Sequence, residues 1–146
     1  MDSASHFLTA DHRACDARWL AVEGAAHAGN AAAATGAWTL FAGAMERHFA
    51  FEEEVLFPAL DHATGMHGAG PTAVMRHEHA QMRRLLATMA AAVAQGAWDT
   101  LMDQGDTLLL LIGQHNLKEE HILYPLADAR LASDWPGLAA RWPVSD

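Results

Sequence analysis

The chain has 146 residues, 51% of them hydrophobic, so a single domain covering 1–146 with its core at about 9–131 is expected. Nine basic residues face 18 acidic ones, and the net charge of −9 opposes binding to nucleic acid or to an anionic membrane. The single cysteine, Cys15, excludes an internal disulfide and thiolate-built zinc sites; with no basic leader and no run near the ~18 apolar residues of a membrane span, a cytoplasmic protein is expected.

Taken in chain order, Thr9 is a suitable N-cap for a first helix that runs through Ala28 and stops at Gly29-Asn30. A second helix is predicted from about Ala31 to His62, kinked by Pro58, and Thr64 to Gly70 is a glycine-rich loop. Pro71 opens a third helix that reaches Gln95 and is closed by Gly96. The fourth covers about Trp98 to Leu131, with Pro125 repeating the kink, and Ser133 with Pro136 announces a short terminal helix whose Trp135, with Trp142, can cap the bundle. No segment alternates strand formers with period two. The expected fold is all-α, an antiparallel up-down four-helix bundle with a short C-terminal helix.

One pattern occurs twice. His48-x3-Glu52-Glu53-x2-Leu56-Phe57-Pro58 returns 67 residues later as His115-x3-Glu119-Glu120-x2-Leu123-Tyr124-Pro125, and the same offset carries Asp11-His12 onto Glu78-His79. Residues four apart share a helix face, so His48 with Glu52 and His115 with Glu119 each form a two-donor claw. Phe41, Met45 and Val55 lie on the face of the first claw, and Leu108, Leu111, Ile112, Ile122 and Leu123 flank the second, so both point inward.

Buried carboxylates need compensation, and a divalent cation supplies it. Imidazole with carboxylate suits iron, manganese or zinc. Six ligands, His12, His48, Glu52, His79, His115 and Glu119, exceed what one ion usually takes from a protein, so two metals sharing Glu52 and Glu119 is the economical reading. Other chemistries find no motif here. No Glu has a His three residues on, His77-Glu78 is followed by Gln81 where a zinc protease needs histidine, and neither a nucleophile elbow nor a phosphate loop occurs.

This arrangement resembles the hemerythrin-like, or HHE cation-binding, family. The resemblance runs from His12 to Pro125 and rests on His12, His48-x3-Glu52, Glu78-His79, His115-x3-Glu119 and the two Leu-aromatic-Pro tails. It implies two non-haem irons (Fe2+/Fe3+) bridged by carboxylates and an oxo or hydroxo group, with zinc or manganese as other occupants of such donors. It also implies oxygen or another small diatomic or peroxide ligand. Two departures stand out. Oxygen-carrying members present a further histidine four residues before the third-helix ligand, where this chain has Met75. They also carry an aspartate five after the fourth-helix histidine, where Glu119 at four and Glu120 at five compete; the repeat favours Glu119.

The expected function is therefore binding or sensing of oxygen or a related small oxidant. Alternatives are a di-iron enzyme acting on peroxide or nitric oxide or in iron-centre repair, and an iron-storage or iron-sensing module. Glu53, Glu54 and Glu120 lie about 100° or more off the claws and read as solvated. His6, His27, His62, His67, His77 and His121 are not ligands, Cys15 reads as a buried thiol, and Met75 narrows access if it fills the space of the absent histidine.

Overall fold

A computed structural model describes residues 2–143. The helices are α1 (Ala4–His27), α2 (Ala31–Phe51), α3 (Phe57–Thr64), α4 (Pro71–Ala94), α5 (Trp98–Lys118), α6 (Tyr124–Arg130) and α7 (Trp135–Ala139), with five-residue π-turns at Glu52–Leu56 and Glu119–Leu123. There is no strand among the described residues, and the long helices pack as the all-α bundle expected. Among the described residues, no helix is long and apolar enough to cross a membrane.

Short connections force the reversals. Gly29 (φ 72°) ends α1, and the side chain of the next residue, Asn30, accepts the Ala33 N–H in the first turn of α2. Gly96 (φ 66°) likewise ends α4, and α5 begins two residues later without a capping side chain. The first helix begins at Ala4, five residues before the expected Thr9. Its cap is Ser3, which accepts the His6 N–H, and Ser5 ties the extra turn to Asp128 through bonds of 3.1 and 2.5 Å. Ala4 and Leu8 are buried in one apolar cluster with Ala127, Leu131 and Trp135, so the added turn is held by the far end of the chain.

The expected kinks take a specific form. The N–H of Phe57 bonds the Glu52 carbonyl and that of Tyr124 the Glu119 carbonyl, an i to i−5 pattern, and Pro58 and Pro125, which have no N–H to give, follow in the first turns of α3 and α6. The wider turn shifts the inward face by one residue. Ile122, expected beside His115, is 59% exposed and Leu123 takes the inward place.

Two apolar clusters sandwich the centre of the bundle. The upper one includes Trp19, Trp38, Phe41, Met82, Met89 and Leu108; the lower one includes Leu8, Phe51, Phe57, Met75, Leu123 and Trp135. Phe7 packs edge-on against Trp135 and Trp142, which close the lower end as expected. In the upper cluster, Gly105 lets the Trp19 ring lie against α5: a Cβ there would stand 2.2 Å from the ring. Alanine gains about 1 kcal/mol of helix preference over glycine. Overpacking costs about 1–3 kcal/mol and wins in a rigid core. Gly105→Ala is expected to lower the Tm by several degrees; a raised Tm in calorimetry would show that Trp19 yields freely.

Candidate metal centre

The ten histidines divide by burial. His12, His48, His79 and His115 are enclosed, whereas His6, His27, His62, His67, His77 and His121 are exposed. His12 comes from α1, His48 from α2, His79 from α4 and His115 from α5, while Glu52 and Glu119 open the two π-turns with no exposed surface. The six side chains singled out by the repeat therefore meet between the two apolar clusters.

They meet in pairs. The rings of His12 and His48 are 4.6 Å apart, and those of His79 and His115 are 4.8 Å apart. Each glutamate spans both pairs. Glu119 Oε1 lies 3.0 Å from His12 Nε2 and 3.2 Å from His115 Nε2, while Glu52 places Oε1 3.1 Å from His79 Nε2 and Oε2 3.4 Å from His48 Nε2. Glu120 reaches none of the Nε2 atoms and bonds His12 Nδ1 instead.

Four of the facing atoms, Glu52 Oε1, His79 Nε2, His115 Nε2 and Glu119 Oε2, are buried and lack a hydrogen bond of good geometry, even where an oxygen and a nitrogen stand 3.1–3.2 Å apart. Leaving such a group unpaired costs about 1–3 kcal/mol each. These four residues present donor atoms within 4.8 Å of one another, and His12, His48 and Glu119 form a second such group. A cation between them would meet the unpaired atoms, and two nitrogens with two oxygens suit iron, manganese or zinc.

The model of the hemerythrin HHE cation-binding domain matches residues 3–127, a span that contains all six side chains. The chain belongs to the hemerythrin HHE family. Comparison with curated proteins and with solved structures gave no match.

As a hemerythrin-type domain the chain is a metal-ion-binding protein, and its buried His/Glu cluster carries an outer layer that the repeat also encodes. Every buried histidine gives its Nδ1 to a carboxylate: His12 to Glu120 at 2.7 Å, His48 to Asp11 at 2.8 Å, His79 to Glu53 at 2.7 Å and His115 to Glu78 at 2.9 Å. These bonds orient each ring and leave Nε2 as the inward atom. Arg13 backs Glu120, Arg83 backs Glu53 and Lys118 backs Glu78. The solvated reading of Glu53 and Glu120 is corrected accordingly. Both are partly buried, because neighbouring helices supply a histidine and an arginine where an isolated helix offers water. Glu54 remains exposed, as expected.

Electrostatics follow from this layering. Burial alone would lower the histidines, but the facing carboxylates outweigh it and hold His48, His79 and His115 above the ordinary imidazole value in the metal-free protein. Burial likewise pushes Glu52 up, and its histidine partners bring it below the ordinary carboxylate range. Burial pushes Glu53 and Glu78 up as well, and the combined pull of His79 and Arg83 on the first and of Lys118 and His115 on the second brings both below the ordinary carboxylate value.

Above the cluster lies a cavity of about 10 Å³, its wall including Cys15, Met45, Phe49, Met82 and Ile112. Burial, with Asp11 and Asp16 nearby, pushes the Cys15 thiol up to about 12, so it is an inert wall group. Met75 lies in the lower cluster with Phe57 and Leu123. The residue that sequence reasoning missed is Tyr124. Its hydroxyl is 2.6 Å from Glu52 and 2.9 Å from Glu119. The available signal was that this sole tyrosine stands where the other half of the repeat has Phe57.

Proposed function

We propose that the chain is a non-haem di-iron protein that binds or senses oxygen or a related small oxidant. His12, His48, Glu52, His79, His115 and Glu119 are the ligands in this reading, with the two glutamates bridging. The observation that carries it is the set of buried donor atoms without well-formed hydrogen bonds, spanned by two carboxylates that each face one histidine of either pair. Bound iron would supply reversible electron transfer to a small oxidant. The chain's own residues orient the imidazoles through their Nδ1 bonds, and the apolar walls keep bulk water out. A cavity near 10 Å³ has room for a water-sized molecule, whereas organic ligands occupy pockets of about 300–1,000 Å³, which favours a diatomic or peroxide over an organic substrate.

The test is metal analysis of protein purified without affinity-tag metals, followed by anaerobic ferrous loading and optical spectra before and after air. Two irons per chain and an air-dependent change in the near-ultraviolet support the reading. No iron uptake, or one zinc with no response to air, defeats it. Steady-state turnover of peroxide or nitric oxide would replace it with an enzyme, and iron-dependent stabilisation without oxygen reactivity with an iron-sensing module.

Metal also reverses a pH dependence. In the metal-free protein the raised histidines contribute stability that is complete below their unfolded value of about 6.5 and is lost as pH rises through the folded values. The lowered Glu52 contributes above about 4.5 and loses its contribution as pH falls through its folded value. Metal ligation requires neutral imidazoles, so the loaded protein gains over the range in which the metal-free protein loses. Calorimetry from pH 6 to 8 is expected to show the Tm falling with chelator and the iron-induced increment growing. An increment that shrinks with rising pH would contradict the assignment.

A further inference from the structure

The two halves of the site place matching histidines and glutamates around each ring pair and differ in the aromatic residue beside them. Tyr124 stacks on His12 with centroids 5.5 Å apart and planes at 30°, and Phe57 stacks on His79 at 5.6 Å and 26°. The rings occupy equivalent places in the repeat, so the halves differ there by the Tyr124 hydroxyl. That oxygen lies 3.1 Å from His12 Nε2, 3.1 Å from His48 Nε2, 2.6 Å from Glu52 Oε2 and 2.9 Å from Glu119 Oε1.

A hydroxyl has one proton to give. With Nδ1 of His12 and of His48 committed to carboxylates, the neutral rings that metal ligation requires present both Nε2 atoms as lone pairs, and in that protonation state one O–H faces four acceptors. Three are left without a donor. Donors bound about 2.0–2.2 Å from one metal ion stand about 3 Å apart when they are at right angles, which is the spacing found here. The hydroxyl donates to a glutamate in the metal-free protein, and the same separations also match part of one coordination shell.

We propose that Tyr124 is a fifth protein ligand, giving its phenolate oxygen to the metal held by His12 and His48, while Phe57 leaves the metal held by His79 and His115 one donor short. This rests on the di-iron reading above. As the oxygen–metal bond forms, the O–H bond breaks and the proton passes to solvent, with no change in oxidation state. The two positions are then inequivalent.

The experiment compares wild type, Tyr124→Phe and Phe57→Tyr, each loaded with iron and oxidised, with iron counted separately from the spectrum. Ferric phenolate gives a visible charge-transfer band and tyrosinate modes in resonance Raman. Wild type is expected to show both, Tyr124→Phe to lose both while retaining iron at the His79/His115 position, and Phe57→Tyr to gain intensity through a second phenolate. Wild-type protein that binds two irons without a tyrosinate signature, or a band unchanged in Tyr124→Phe, overturns the proposal and leaves the di-iron reading standing. Failure of wild type to bind iron overturns both. If Tyr124→Phe does not fold, wild type and Phe57→Tyr decide alone: a tyrosinate signature in the first that strengthens in the second supports ligation, and its absence from both refutes it.

Discussion

Glu119→Gln is expected to abolish tight iron binding at both positions, because this side chain faces His12 in one pair and His115 in the other. The amide keeps the volume but loses the charge and one carboxylate oxygen. The readout is the iron-induced rise in Tm. A ligand present at about 1,000 times its Kd stabilises the native state by about 4.1 kcal/mol. For a chain of this length each kcal/mol moves the Tm by about 2–4 °C, so the wild-type rise should be about 8–16 °C. Most of that rise should vanish in Glu119→Gln and persist in a Glu54→Gln control, since Glu54 is exposed. An undiminished rise in Glu119→Gln, with both irons retained, would remove Glu119 from the ligand set.

The outer carboxylates should act by position rather than uniformly. Glu53 and Glu78 hold His79 and His115, and Asp11 and Glu120 hold His48 and His12. Loss of such a partner typically costs 10–100-fold in metal affinity, or about 1.4–2.7 kcal/mol. Glu53→Gln and Glu78→Gln are expected to weaken one metal-binding step by that factor, and Asp11→Asn and Glu120→Gln the other. A two-step anaerobic titration followed by calorimetry separates them. Equal weakening of both steps by all four variants would mean that these carboxylates set the general charge of the site and do not position individual rings.

The spacing of the repeat made the claws and the bundle legible, because a helix converts i to i+4 into a shared face whatever surrounds it. The 67-residue offset also paired Asp11 with Glu78 and Glu53 with Glu120 before their roles were visible. Those roles needed neighbours from other helices. Glu53 lies off the claw on its own helix, and only the packing of α4 brings His79 and Arg83 to it. The start of α1 at Ala4 was hidden for the same reason, since Ser5 and Leu8 are held by residues more than 100 positions away.

By itself, the sequence determined which six side chains face inward and that they come in two matched halves, since both facts follow from local helix geometry and apolar patterning. Tertiary structure decided the rest. The π-turns at Glu52 and Glu119 rotate the segments beyond them, turning Ile122 outward and setting the Tyr124 hydroxyl among the donors where Phe57 has none. A one-residue change of helical register depends on how the ends of the bundle pack, and no spacing in a single helix reports that.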